Sequence, residues 1–364
     1  MITDSLIKDK KNIITEFLNS DIGSRKIILY GAGHCCLEAL AAFDSCNIKV
    51  EYVCDDDFNK CGAKVEGHLI RRIEDVDISD DAIIIITSGF NAKMKDKLKM
   101  LGLYKYYVDL DFGRYEPNCE NKDYFEKHQI QVEQAYELFT DDISKNLFVN
   151  LINYRISRNT GLLSGFEEDD QYFPKELLHL DDNEVFLDLG AYDGDSIRSF
   201  LRFTKGRYEK IIALEPNPQN FAKLSTNTNK IANIDIYNVG AYKESTELDF
   251  WMNGSKNSFF TDKGNAKVKV VAIDELLSQS KVTFIKMDIE GAEYDAILGC
   301  QKIISSNKPV MAISAYHKTS DLFELPILIK KINPDYKLFL RHYSPTMIET
   351  ILYAIPENKL NIEL

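Results

Sequence analysis

The sequence predicts an α/β protein of two doubly wound, Rossmann-like domains joined by a helical segment. Three observations predict it. Apolar runs of strand length alternate with helix-length segments in two separate regions. Each region opens on a strand that ends in a glycine turn, KIILYGAG (26–33) in the first and VFLDLGAYDG (185–194) in the second. Between them, over residues 112 to about 182, apolar residues recur at helical spacing and no strand of comparable strength appears.

Element by element, MITDSLIKDKKNIITEFL (1–18) has the pattern of an amphipathic helix and lacks the apolar core of a signal peptide. KIILY is a buried strand, CLEALAAFDSC a helix, KVEYVCDDD a second strand, AIIIIT a third and NAKMKDKLKMLGL a helix, followed by YKYYVDL. This first domain is expected over residues 1–115. A helical connector over 116–180 carries YFEKHQIQVEQAYELF and ISKNLFVNLINYRIS. From 181 to 364 the alternation resumes with VFLDL, KIIALEPNP, IDIYNVGAY, TFIKMDIEG and PVMAISAYH, and closes on two adjacent strands, KLFLRHY and ETILYAIP. With 364 residues, the chain is long enough for two hydrophobic cores.

The formal net charge of −13, with no concentrated Lys/Arg stripe, argues against nucleic acid or an anionic membrane surface as partner. A small or neutral substrate fits better. Seven cysteines without metal spacing read as reduced thiols in a cytoplasmic protein. No apolar run reaches the ~18 residues of a membrane span. A homodimer through the helical middle is left open.

The chemistry gathers in the second domain. VFLDLGAYDGDS places Asp188 at a strand end and Gly190 and Gly194 in the turn that follows, where a ligand can approach the backbone and the N–H groups of the next helix. Its spacing is not the dinucleotide fingerprint. Glu215 ends the second strand and, in a doubly wound sheet, lies beside that turn, where a carboxylate can accept both hydroxyls of a ribose. Asn238, after the third strand, offers an amide to an adenine edge. The stretch FIKMDIEGAEYDAIL (284–298) sets Asp288, Glu290 and Glu293 at one strand-to-helix corner. Either they line a ligand cleft, or Glu290 and Glu293 serve the helix N-terminus, where a carboxylate stabilises by about 0.3–1 kcal/mol. His317 follows the next strand and is a candidate base, with Asp321 one turn on as its orienting partner or as a helix cap. His342 is a second, weaker candidate. Arg341 can hold an anionic group or pair with a carboxylate. Asp288, Glu290, Glu293 and His317 also offer ligands to Mg²⁺, but no spacing demands an ion and no metal ligand is assigned. Trp251, in LDFWMNGSKNSFF, can line an acceptor pocket or belong to a strand and loop.

These segments resemble the FkbM-type S-adenosylmethionine-dependent methyltransferases. LDLGAYDGDS, ALEPNP, NVGAY, VAIDEL and above all FIKMDIEGAE carry the resemblance, with QYF at 171–173, YHK at 316–318 and LRHY at 340–343. It covers about residues 153 to 356. It implies a class I methyltransferase sheet with an antiparallel last strand, which KLFLRHY and ETILYAIP would complete. It also implies S-adenosyl-L-methionine as cofactor, bound by Asp188, Gly190 and Glu215; the strand-end reading adds Gly194, Asn238 and Asp288 as expected cofactor contacts. The reaction expected is methylation of a hydroxyl of a sugar or glycan precursor. His317, Asp288 and Glu290 are then the catalytic candidates.

In the first domain, Gly31 and Gly33 follow a strand, and Asp55 and Asp56 follow the next at about the distance of a ribose-binding acid. YGAG, VCDDD and KVEGHLI resemble the small Rossmann-like domain found ahead of some sugar acyltransferases. That likeness implies a nucleotide or nucleotide-sugar contact at Gly31, Gly33, Asp55 and Asp56. A degenerate module kept for positioning is the plainer alternative. Two other functions stay open: a non-catalytic nucleotide-sugar binding protein on a methyltransferase scaffold, and an NAD-dependent sugar oxidoreductase resting on GAG and DDD alone.

Overall fold

The computed structural model describes residues 11–22, 25–88, 92–116, 118–251, 259–260, 266–278 and 280–361. The first ten residues of the amphipathic pattern lie outside them. Its remainder forms a helix, Ile13–Leu18, capped by the Asn12 side chain, which accepts from the N–H groups of Ile14 and Thr15. The chain divides into two compact units. One comprises Met1–Gln129, Val149–Glu167 and Ser344–Ile348, and the other Ile130–Phe148, Glu168–Tyr343 and Glu349–Leu364.

The first unit is built on β1 (Ile27–Tyr30), β2 (Val50–Cys54), β3 (Lys64–Val65), β4 (His68–Arg71) and β5 (Ile83–Ile86), in the order β3-β4-β2-β1-β5. All pairs are parallel except the β3–β4 hairpin. Its two-residue turn uses Glu66 and Gly67, both at positive φ, which matches the right-handed twist of the flanking strands. β1 and β5 are buried at every position because both sheet faces are covered. Ile27, Leu29, Ile83 and Ile85 pack with Phe43 of the helix His34–Ser45. Ile28, Ile84 and Ile86 pack with Leu98 of the helix Ala92–Met100 on the other face. A buried ionic cluster completes this unit: Glu120 accepts from Arg155 at 2.8 Å and from Arg158 Nε at 2.6 Å.

The second unit carries a seven-stranded sheet and a smaller one. In chain order its strands are β6 (Val185–Leu189), β7 (Lys210–Leu214), β8 (Ile234–Tyr237), β9 (Gly240–Ala241), β10 (Thr246–Trp251), β11 (Phe259–Phe260), β12 (Ala266–Val271), β13 (Phe284–Met287), β14 (Val310–Ser314), β15 (Lys337–His342) and β16 (Thr350–Ile355). The large sheet has the order β15-β16-β14-β13-β6-β7-β8. β16 runs antiparallel to both its neighbours, and the other pairings are parallel. This is the doubly wound sheet with a reversed last strand that the sequence predicts. β6, β13, β14 and β16 are buried throughout, whereas the edge strand β8 is half-buried throughout. Phe173, Phe186, Phe200 and Phe284 fill one face, with the Phe186 and Phe200 rings stacked at 4.5 Å.

The small sheet has the order β11-β10-β12-β9. Trp251 ends β10, and residues 252–258, the rest of the stretch considered for an acceptor pocket, lie outside the described residues. Among the described residues no helix is long and apolar enough to cross a membrane.

Candidate functional site

At the carboxyl end of β6 the chain turns sharply. Gly190 and Gly194 both have positive φ, and Gly194 is the N-cap of the helix Asp195–Phe203 without any side-chain cap bond. Gly190 is required sterically, since a Cβ there would overlap the carbonyl oxygen of Asp288 and meet Ile289 Cγ2 at 3.1 Å. The turn and the carboxylate corner thus touch through backbone.

Asp188 is fully buried, and its partners are protein groups. Ser196 Oγ donates to one oxygen, and Lys286 Nζ lies 3.2 Å from the other. Burial pushes the Asp188 carboxyl up, against the pull of Lys286. Lys286 also donates to the carbonyl of Gly190 at 2.7 Å, so a buried ammonium pins the glycine turn to β13. Sequence reasoning assigned Lys286 no role. The signal was present as a lysine inside the apolar strand FIKM, where only a buried partner makes its charge tolerable.

Glu215, at the end of β7, does lie beside the turn. Its Oε2 accepts from Tyr192 N and its Oε1 from Asn217 N, both at 2.9 Å. Each carboxylate oxygen has a further lone pair, so capacity for two ribose hydroxyls remains. Asn238 Nδ2 donates to the carbonyls of Glu215 and Pro216, which commits that nitrogen to the backbone rather than to an adenine edge. Burial pushes Glu215 up to about 7, against the two N–H donors. A raised carboxyl contributes stability that is full below its unfolded value and is lost as pH rises through about 7. Hydroxyl donors favour the ionised form, so binding an adenosine ligand here draws the pKa down and expels a proton. Affinity for S-adenosylhomocysteine is therefore expected to rise between about pH 6 and 8. Calorimetry in two buffers of different ionisation enthalpy checks this, and pH-independent affinity without proton release would contradict it.

The corner after β13 resolves the roles of its three carboxylates. Glu290 sits at φ 59° and Gly291 at φ 97°, a tight reversal that returns the chain into the helix Glu293–Leu298. Glu293 is fully buried, and its Oε1 accepts from Ile289 N at 3.0 Å and contacts His317 Nδ1 at 2.8 Å. His317 Nε2 faces Asp288 Oδ1 at 3.4 Å and Glu290 Oε2 at 3.7 Å. Asp288 accepts from Tyr172 at 3.1 Å and Tyr316 at 3.4 Å. Burial opposes ionisation of Asp288, but Lys286 and His317 outweigh it and hold its pKa below the ordinary value. The His317 side chain is 0% exposed, whereas those of Asp288 and Glu290 are 26% and 21% exposed, so the two carboxylates and not the ring form the accessible face of the corner.

Three residues that were read with alternatives have named partners. Glu293, not Asp321, orients His317; Asp321 instead accepts from Lys318 N at 2.8 Å, with burial and Glu293 pushing it up to about 7. Arg341 is held by Asp141 at 2.7 Å and by Glu168 at 3.3 Å, which settles it as a pairing residue. His342 is buried, with Nδ1 on Thr350 Oγ1 at 2.9 Å.

In the first unit, Gly31, Gly33, Asp55 and Asp56 come together at the carboxyl ends of β1 and β2. Gly31 has φ 116°, and a Cβ there would lie 2.7 Å from Thr87 O, whereas Gly33 has nothing within 4 Å. Asp55 accepts from Ala32 N and Asp57 N at 2.8 Å and from Lys60 at 3.0 Å. Asp56 accepts from Tyr30 and Lys97. Asp55 thus braces the turn through Ala32 N, while Asp56 joins the side chains of Tyr30 and Lys97.

Residues 188–343 match the family model described as the methyltransferase FkbM domain. No curated protein matches the chain. Among solved structures, the chain is similar to the methyltransferase FkbM from Methylobacillus flagellatus KT at 22% identity, covering 97% of this chain and 96% of that one with a TM-score of 0.70. At that identity the likeness shows the fold. It also aligns with a precorrin-6y C5,15-methyltransferase from Geobacter metallireducens at 16% identity, covering 50% and 83% of the two chains with a TM-score of 0.32. The turn at Gly190, the carboxylate corner and His317 all fall inside the segment that matches the methyltransferase FkbM domain.

Proposed function

We propose that the chain is an S-adenosylmethionine-dependent O-methyltransferase acting on a hydroxyl of a sugar or glycan precursor. The observation that carries this reading is the adjacency of two chemistries at the carboxyl ends of neighbouring strands. Glu215 and the Gly190 turn suit an adenosine, and the Asp288, Glu290 and His317 cluster lies one strand away on the side where a sulfonium would point. Methyl transfer is an in-line displacement that needs alignment and a place for the hydroxyl proton. The partly exposed carboxylates receive the acceptor, and His317 behind them completes the proton-accepting cluster. Net negative charge at this corner also suits a cationic donor.

The first unit, in this reading, contacts a nucleotide-linked substrate at its glycine turn. Its support is the open space at Gly33, the N-cap of a twelve-residue helix without a side-chain cap. Seven free cysteines fit a cytoplasmic location. Calorimetric titration with S-adenosylhomocysteine, then with UDP- and GDP-sugars, tests both parts, followed by transfer of labelled methyl to the sugars that bind. Absence of saturable S-adenosylhomocysteine binding would sink the methyltransferase reading, and absence of sugar-nucleotide binding would remove the role given to the first unit.

A further inference from the structure

Methyl transfer alone does not explain why three carboxylates converge on one buried imidazole. We propose that this corner is a divalent-cation site, with His317 Nε2 and Asp288 Oδ1 as ligands, Glu290 closing it from the rim and Glu293 as the carboxylate behind the histidine. Only its chemical use, activation of the acceptor hydroxyl, rests on the methyltransferase reading, and with the ion bound that task passes to the ion from His317, whose Nε2 is then a ligand.

Spacing is the first argument. Two atoms each about 2.1 Å from one ion, at tetrahedral or octahedral angles, lie about 3.0–3.4 Å apart. Nε2 and Asp288 Oδ1 are 3.4 Å apart, long for a charge-assisted hydrogen bond and suited to two ligands of one ion. Glu290 Oε2 lies 3.7 Å from the same nitrogen, on the rim of the same corner.

The second argument lies behind the ring. A metal-bound histidine almost always donates its other N–H to a carboxylate or carbonyl, which fixes the tautomer. Glu293 Oε1 stands at that position, 2.8 Å from Nδ1, with both side chains fully buried.

An independent observation is the other oxygen of the same residue. Glu293 Oε2 is buried and has no hydrogen-bond partner among the described residues. Buried carboxylates persist when a donor or a cation balances them. The nearest buried ammonium, Lys286, is engaged by Asp188 and the Gly190 carbonyl.

One imidazole nitrogen with carboxylate oxygens fits Mn²⁺ or Zn²⁺ better than Ca²⁺, which prefers oxygen alone. At the rim such an ion would take the acceptor hydroxyl and lower its pKa. The proton leaves to a rim carboxylate or water, the alkoxide oxygen bonds the methyl carbon, and the C–S electron pair returns to sulfur.

The test uses the full-length protein after chelation, titrated with MnCl₂ while free Mn²⁺ is followed by electron paramagnetic resonance, and with ZnCl₂ in competition. One saturable equivalent is expected, lost in His317→Ala and in the isosteric Asp288→Asn, and weakened about 10–100-fold in Glu293→Gln. Wild-type protein that takes up no saturable equivalent of either ion, or folded variants that bind as wild type does, would overturn the proposal. Should His317→Ala fail to fold, Asp288→Asn and Glu293→Gln carry the comparison. S-adenosylhomocysteine binding, measured on the same samples, separates the two ideas. Its loss with cation uptake intact strikes the methyltransferase reading alone.

Discussion

His317→Ala is expected to lower turnover by on the order of 10²–10⁴-fold while S-adenosylhomocysteine affinity stays within about twofold. The split follows from geometry. His317 reaches Asp288 and Glu290 through Nε2 and is held from behind by Glu293, whereas the groups proposed to face adenosine, Glu215 and the Gly190 turn, hang from β7 and β6. Single-turnover rates with a bound acceptor, set beside calorimetric donor affinity, give the readout. Unchanged turnover would return His317 to a purely structural role as the partner of Glu293. A parallel fall in donor affinity would mean that the substitution had collapsed the corner.

The second large effect is expected from Gly190→Ala. A Cβ at this position meets the backbone oxygen of Asp288, and neither β6 nor β13 can retreat, because Leu189 and Met287 are paired in the centre of the sheet. The residue also needs φ 85°, which alanine adopts only at a cost. Together the overlap and the backbone conformation should destabilise the protein by about 2–5 kcal/mol. Donor affinity should fall by more than about tenfold, as a shift of only about 1.4 kcal/mol suffices for that. Gly33→Ala serves as the control. With nothing near its Cβ and φ of −109°, it should cost less than about 1 kcal/mol, the scale of an N-cap change. Urea denaturation of the two variants side by side decides the point, and equal midpoints would show that the sheet does yield at Gly190.

The large sheet was legible because its strands carry their environment in their composition. VFLDL, FIKM and VMAIS are apolar on both faces, as strands covered on both sides must be, whereas the reversed last strand was implied by the resemblance to the FkbM-type methyltransferases, which the adjacent pair KLFLRH and TILYAI could complete. Gly190, Glu215 and Asp288 were legible for a related reason, since strand ends in a doubly wound sheet have a known address. What the sequence hid were partnerships across long separations. Glu293 meets His317 over 24 residues and Tyr172 meets Asp288 over 116, and no local pattern reports either contact. Asp321, left open as the partner of His317 or a residue of the helix start, accepts from Lys318 N at that helix start. Lys286 was in plain view, but its meaning needed Asp188 and the Gly190 carbonyl beside it. Arg155, Arg158 and Glu120 likewise meet over 35 and 38 residues, and the folded first unit buries them together.

Glu293 has one more consequence, for how the corner can move. One oxygen of this side chain joins the amide of Ile289, just past β13, to the ring of His317, just past β14. Freeing either loop strands a buried carboxylate, so the two strand ends should open only together and rarely. The Ile289 amide would then rank among the slowest to exchange with solvent outside the strands. A corner tied in this way is preorganised, and adaptation to acceptors of different shape falls to segments that this carboxylate does not anchor.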